Sequence, residues 1–347
     1  MNFPKFLFII ASMTEEIVKG TNMVKKWMHG VIFLGLLVLL LLASSWVMTP
    51  KNNTYEEGIG DFLTEGYLAE PIDSLDVLFV GDSVPRFGIC PPVIWQEQGI
   101  PSYVCSGYAK SVPYMVGYLR NFLRRQSPKI VVLDADVLFR KHDVLDWLHM
   151  TLEYYFPVLK FHNNWKLHNP KALLQPEHYD NVTWEKGYYL WKDVEPWTKG
   201  DYMASDTGEE PLAESSIRYL KWIMKICEKR GARLMLVSVP SPQNMSSKKD
   251  RTLNRLAGEL ELPYLNLSLH LDEMGIDWAT DTPDKGDHLN WWGAQKVSRY
   301  LAKALADTGL LTDRRGTPGY EAWDSSCAAF FDYASTAKGN VDIEQAE

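Results

Sequence analysis

The sequence predicts an α/β domain built on a parallel sheet, carried behind one membrane-spanning helix. Short apolar runs alternate with segments of helical periodicity through most of the chain, a long apolar run stands near the N-terminus, and the first short run ends in Gly81-Asp82-Ser83. Strands separated by helices pair in parallel through right-handed crossovers, which puts helices on both faces of the sheet. A ligand site in such a sheet lies beyond the carboxyl ends of the strands, which is where Ser83 falls.

The long run comes first. Residues 30–48 are nineteen consecutive uncharged, mostly apolar residues. At about 1.5 Å per residue they nearly match a hydrocarbon core of about 30 Å. Lys19, Lys25 and Lys26 precede the run, and Lys51, Glu56 and Glu57 follow it. The positive flank stays in the cytoplasm, so residues 1–29 are expected inside and residues after 50 outside. A cleaved signal peptide is the competing reading, with Ala43-Ser44-Ser45 as a weak cleavage site. The run is longer than a usual signal core, so an uncleaved anchor is expected. Met23-Val24-Lys25-Lys26 has the form of a conventional start to such an anchor, and translation from Met23 is expected. N-terminal sequencing of the native protein would show upstream residues if it begins at Met1.

Residues 49–73 are polar, contain Gly58, Gly60 and Gly66, and read as a linker. The domain proper is expected over 74–325, with 326–347 as a tail. Val77–Val80 fits a buried strand, and Tyr114, Tyr118, Leu119, Phe122 and Leu123 recur at helical spacing. Ile130–Leu133 is the next strand, introduced by Pro128. Ile217, Leu220, Met224 and Cys227 define a helix face with Gly231 as its stop. Leu234–Val239 is a strand cut off by Pro240 and Pro242, and Leu265–Leu267 is a fourth candidate. Ala294, Val297, Leu301, Ala304 and Leu305 make a last amphipathic helix. The stretch 141–210 breaks the alternation with many aromatics, and reads as an insertion that caps or walls the cleft.

The 347 residues are 46% hydrophobic and 23% charged, enough to bury a sizeable core. A net charge of −8 argues against broad nucleic-acid binding, which needs a basic face. The thirteen tryptophans and seventeen tyrosines read first as core, although aromatic faces also stack on sugars. Cys90, Cys105, Cys227 and Cys327 show no zinc spacing. A Cys90–Cys105 disulfide is open outside the cytoplasm, and four buried free thiols are the preferred reading.

The chemistry sits in two blocks: Gly81-Asp82-Ser83, and Asp284-Lys285-Gly286-Asp287-His288-Leu289-Asn290 about two hundred residues later. A serine at the end of a buried strand with a late Asp/His pair is the wiring of a Ser-His-Asp acyl-transfer site, whose members are assembled in space. Alone, Gly-Asp-Ser is also any turn in which Asp82 and Ser83 satisfy backbone donors. Asp134, Asp136, His142 and Asp143 could suggest a metal site, but their irregular spacing reads as a solvated loop. His162 and Trp165 are open between lining the cleft and packing inside the insertion.

The ordered set of strand, Gly-Asp-Ser and late Asp-x-x-Asp-His-x-Asn resembles the SGNH or GDSL hydrolases. Residues 74–325 resemble more particularly a membrane-anchored group of Gram-positive bacteria. That group is related to the D-alanyl transfer protein of teichoic-acid modification and to alginate-type O-acetylation proteins. The segments are Phe79-Val80-Gly81-Asp82-Ser83, Phe161-His162-Asn163-Asn164-Trp165, Asp287-His288-Leu289-Asn290 and Asp313-Arg314-Arg315. The resemblance implies a three-layer flavodoxin-like fold, with Ser83 as nucleophile, His288 as general base, and the Ser83 and Gly107 N–H groups as oxyanion donors. It also implies an acyl esterase or O-acyltransferase acting outside the cytoplasm on an envelope glycan, without cofactor or metal. A transferase would imply a membrane-bound O-acyltransferase as partner.

Two positions depart from the family pattern. The orienting Asp usually stands three residues before the His, where this chain has Lys285; Asp284 is the first candidate and Asp287 the second. The third block usually supplies Gly-x-Asn after its strand, where this chain has Asp134-Ala135-Asp136. Loss of one oxyanion donor costs about a hundredfold or more in rate. The alternative reading is therefore a catalytically silent scaffold that keeps the fold and partners a membrane acyltransferase.

Overall fold

A computed structural model describes residues 3–166, 174–204 and 207–337, with side chains from residue 25 onward. Helix α1 spans Phe3–Met48, and its Lys25–Met48 part is long and apolar enough to cross a membrane. That part stays almost wholly outside the folded domain, with Leu39 and Leu40 both more than 60% exposed.

Five parallel strands follow: β1 Val77–Gly81, β2 Ser102–Ser106, β3 Ile130–Asp134, β4 Arg233–Ser238 and β5 Tyr264–Asn266. Their order across the sheet is β2-β1-β3-β4-β5, the doubly wound flavodoxin-like order. In that order the chain reverses between β1 and β3, so the ends of these strands border the crevice.

The strands are apolar on both faces because both are covered. Leu78, Val80, Val131 and Leu133 pack on one side, together with residues of helices Val112–Phe122, Glu214–Lys229 and Ser247–Glu259. Val77, Phe79, Ile130 and Val132 point the other way, against Ile94 of Pro91–Gln98 and Val297, Leu301 and Leu305 of Trp291–Ala306. The period of two along each strand thus makes a three-layer domain. Truncating a core leucine such as Leu78 to Ala costs about 2–5 kcal/mol in such packing.

Two segments outside the expected domain limits belong to it. Residues 49–73, expected as a linker, bury Ile59, Leu63 and Tyr67. Residues 326–336, expected as part of a tail, lie in the helix Glu321–Thr336, which buries Trp323, Cys327, Phe330 and Ala334. In both, widely spaced apolar anchors hold an otherwise polar segment. All four cysteines are free and buried, without the open Cys90–Cys105 bridge. The 313–315 block acts as a clamp: Arg314 Nε donates to Asp76 Oδ2 at 2.9 Å, at the foot of β1.

Candidate active site

β1 turns straight into the short helix Ser83–Gly88. Asp82 caps it, its Oδ1 accepting from the Val84 N–H at 2.9 Å. Gly81 is required by space. A Cβ there would stand 2.4 Å from Pro85 Cγ and 2.8 Å from Asp134 Cβ.

The late block forms a folded loop between Asp281 and Trp291. Lys285 (φ 61°) and Gly286 (φ 84°) are consecutive left-handed residues, a reversal that glycine tolerates and lysine adopts only under constraint. The constraint is visible: the Lys285 N–H donates to Glu195 O at 2.8 Å and its Nζ pairs with Glu195 Oε1 at 2.7 Å. From below, Gln243 Nε2 donates to the Asp284 and Lys285 carbonyls. The reversal folds Asp284 back onto His288. Asp284 Oδ1 accepts from the His288 backbone N–H at 2.8 Å, and Oδ2 lies 2.6 Å from Nδ1. The other ring nitrogen, Nε2, lies 2.8 Å from Ser83 Oγ.

Ser83, His288 and Asp284 therefore stand in one hydrogen-bonded line. Asp287 stands aside. Its Oδ2 is 3.9 Å from Nδ1, and its Oδ1 accepts from Asn244 Nδ2 at 2.6 Å. Asp284, Asp287 and His288 also bring potential metal-ligating atoms within 4.8 Å of one another. Both nitrogens of the ring are already engaged by Ser83 and Asp284. Asn290 caps the following helix and ties it to the Thr280 and Asp193 carbonyls.

Aromatic rings close over this line. Phe87 lies 4.7 Å from the His288 ring and Trp191 6.2 Å, both measured between centroids. Trp191 belongs to the last part of the 141–210 insertion, which runs as an extended strap. Tyr189 N–H donates to Arg86 O, Glu195 N–H to Thr282 O, and Trp191 O accepts from the Trp291 N–H. The strap walls the site from the nucleophile helix to the histidine loop.

Beneath the nucleophile, buried Arg86 forms a two-pronged pair with Asp61, at 2.6 and 2.9 Å. Burial opposes the Asp61 charge, but the Arg86 guanidinium and the Thr64 donors outweigh it and hold the carboxyl below its usual range. Gly107 leaves the end of β2, whose Ser106 is in register with Gly81. A Cβ on Gly107 would stand 2.4 Å from the Tyr118 hydroxyl. Gly107 borders a cavity of about 440 Å³ lined also by Tyr108, Tyr114, Tyr118 and Tyr154.

At the end of neighbouring β3 the chemistry differs. Asp134 is buried, and among the described residues neither carboxylate oxygen has a hydrogen-bond partner. Burial, then the nearby Asp82 and Asp136, push its pKa well above the usual carboxylate value. Asp82 pairs with Arg140, and Asp136 Oδ1 accepts from Lys249 Nζ at 2.6 Å. The four residues considered as a metal set do not converge. Asp143 caps the helix Val144–Tyr155 in a capping box, and His142 Nε2 meets Ser215 Oγ at 2.9 Å. His162 and Trp165 are exposed in the segment that meets the end of α1.

Sequence reasoning missed Phe87, Arg86, Asp61, Asn244 and Glu195. The first two lie within four residues of Ser83, where a buried arginine beside a nucleophile signals a partner elsewhere. Glu195 carried no local signal, because its role arises from the crossing of two loops.

Comparison with protein-family models and with curated proteins finds no match. Among solved structures the chain is similar to a candidate acylhydrolase of Bacteroides fragilis and to a GDSL-like lipase of Bacteroides thetaiotaomicron. The first is 10% identical, covers 72% of this chain and 96% of its own, and has a TM-score of 0.37. The second is 12% identical, covers 71% and 96%, and has a TM-score of 0.34. At these values the likeness carries no assignment of its own.

Proposed function

We propose that the chain is a membrane-anchored serine acyl-transfer enzyme of SGNH type, acting outside the cytoplasm on acylated envelope glycan. The observation that supports this best is the line Ser83 Oγ to His288 Nε2 at 2.8 Å and Nδ1 to Asp284 at 2.6 Å. Both distances are within hydrogen-bond reach, the geometric requirement for an activated nucleophile.

In the first half-reaction Ser83 Oγ attacks the acyl carbonyl carbon while its proton passes to His288 Nε2. The bond to the leaving alcohol then breaks, the alcohol takes that proton, and an acyl-Ser83 ester remains. Asp284 holds the ring so that Nε2 faces the serine and stabilises the imidazolium formed in passing. The Ser83 and Gly107 N–H groups are the proposed donors to the developing oxyanion. In the second half-reaction a glycan hydroxyl or water gives its proton to Nε2 and attacks the ester, and Oγ recovers the proton. Acetyl is the proposed group, and the partner of a transferase would be a membrane-bound O-acyltransferase that exports it.

One observation favours a second reading, a silent scaffold: β3 ends in a buried acid where an oxyanion-completing amide would stand. The test separates the two. The purified full chain is given a small activated acetyl ester beside Ser83→Ala and His288→Ala. Cleavage that falls about 10⁴-fold or more in both variants supports the enzyme. A wild-type rate equal to that of Ser83→Ala supports the scaffold.

A further inference from the structure

The helix Val144–Tyr155 is amphipathic in the wrong sense for a water-facing surface. Its inward stripe is Asp146, Met150, Glu153 and Tyr154, and of these only Met150 is both apolar and buried. Its outward stripe is Leu145, Leu148 and Leu152, between 37% and 65% exposed, recurring at helical spacing. Leu159, 41% exposed, continues it past Pro157. A helix on the surface of a soluble domain shows the reverse pattern, and a contiguous apolar stripe of this kind marks an interaction surface.

What covers it is given by its attachment. The Val158 N–H donates to Ser45 Oγ at 3.1 Å, and Asn164 Nδ2 donates to Met48 O at 2.9 Å. Ser45 and Met48 lie in the last turn of the apolar run, where an anchor of this length leaves the hydrocarbon. Trp46 and Trp165, both at least 60% exposed, stand at the same junction, and tryptophan favours the headgroup level. The stripe is thus continuous with the outer end of the anchor.

We infer that residues 144–166 form an interfacial segment whose Leu145–Leu148–Leu152–Leu159 face lies in the outer leaflet of the bilayer. This rests on the reading of α1 as a membrane span. Interfacial helices bury their apolar face by about 5–10 Å. Docked in that way, the segment fixes the domain against the membrane. The inner side of the same helix contributes Met150, Glu153 and Tyr154 to the cavity that borders Gly107.

The test uses the full chain in phosphatidylcholine nanodiscs, with a fluorophore on one introduced cysteine at a time. The native thiols are buried, with Cys227 and Cys327 raised to about 12 by burial and Cys90 and Cys105 also raised, so they stay unlabelled. The positions are Leu39→Cys in the anchor, Leu148→Cys and Leu152→Cys in the stripe, and Leu269→Cys beyond β5 at the far sheet edge. The quenchers are lipids bearing a nitroxide near the headgroup or near the chain end. The inference expects Leu39→Cys to be quenched by the deep nitroxide, both stripe positions by the shallow one, and Leu269→Cys by neither. A quenched Leu39→Cys with unquenched stripe positions overturns the inference and leaves the anchor standing; shielding of the stripe by protein gives this result too. An unquenched Leu39→Cys overturns the anchor and the inference together.

Discussion

β1 and β3 are hydrogen-bonded neighbours whose carboxyl ends look onto the same crevice, yet they present opposite chemistries. After β1, every polar group of the Ser83–His288–Asp284 line has a partner within 2.8 Å. After β3, Asp134 is buried and has no side-chain hydrogen-bond partner for either oxygen among the described residues. Each strand end has a carboxyl nearby, Asp284 reaching the end of β1 through His288 and Asp134 closing β3 itself. Asp284 is partly open to solvent and fixed by donors, which suits an acceptor that must stay available to an imidazole. Asp134 is shut away from water with Asp82 and Asp136 nearby, which pushes its pKa up despite the neighbouring Arg140. What a strand end can do is therefore set by its partners and its access to water, and its place in the sheet is only the starting condition.

The largest expected break of this contrast is on the donor-filled side. Asp284→Asn keeps the shape of the loop but presents an amide to Nδ1, favouring the wrong tautomer. A fall of about 10⁴-fold in turnover is expected, as for the equivalent change in other Ser-His-Asp sites. Asp287→Asn should cost less than about tenfold, since its link is to Asn244 and 3.9 Å separates it from the ring. Steady-state kinetics on the two variants checks this, and equal losses would mean that the carboxylates share the role.

Next in size is the support under Ser83. Asp61→Ala leaves the Arg86 guanidinium buried without its carboxylate, and a loss of about 3 kcal/mol in unfolding free energy is expected, at the low end for a buried pair because Asp61 is partly exposed. Denaturant unfolding of wild type and variant measures it. A loss below about 1 kcal/mol would show that water replaces Asp61 beside Arg86.

The smallest effect sharpens the β3 side. The fold raises the Asp134 pKa well above the value of about 4 that it has when unfolded. The unfolded state then binds fewer protons, so this group's contribution to stability is full at low pH and declines as pH rises through that window. Asp134→Asn removes the titration, so its stability relative to wild type should rise between pH 5 and pH 8. Thermal unfolding at the two values would show a constant difference if Asp134 were ionised in the fold.

Much of this was legible in sequence, for identifiable reasons. β1, β3 and β4 are unbroken apolar runs because both of their faces are covered, and the helices 112–122, 214–229 and 291–306 carry strong one-sided periodicity. β2 was missed because Ser102 and Ser106 bracket only three core residues at a sheet edge. Ser247–Glu259 was missed because Thr252, Leu253, Leu256 and Ala257 bury a narrow stripe in a highly charged helix. Asp284 and Asp287 could not be separated in sequence, since the choice depends on the left-handed turn at Lys285-Gly286 and on Glu195 from a distant strap. The inverted helix at 144–155 read only as aromatic-rich insertion, because amphipathicity gives a stripe but not the side that faces the domain.

Acyl transfer by this site requires that Ser83 carry the acyl group. The most direct test is the intact mass of the full chain after brief exposure to an activated acetyl ester and acid quench, followed by peptide mapping. One acetyl adduct is expected on the peptide containing Ser83, absent in Ser83→Ala and strongly reduced in His288→Ala. An adduct of equal yield in Ser83→Ala, or an unmodified Ser83 peptide during measurable ester turnover, would contradict it.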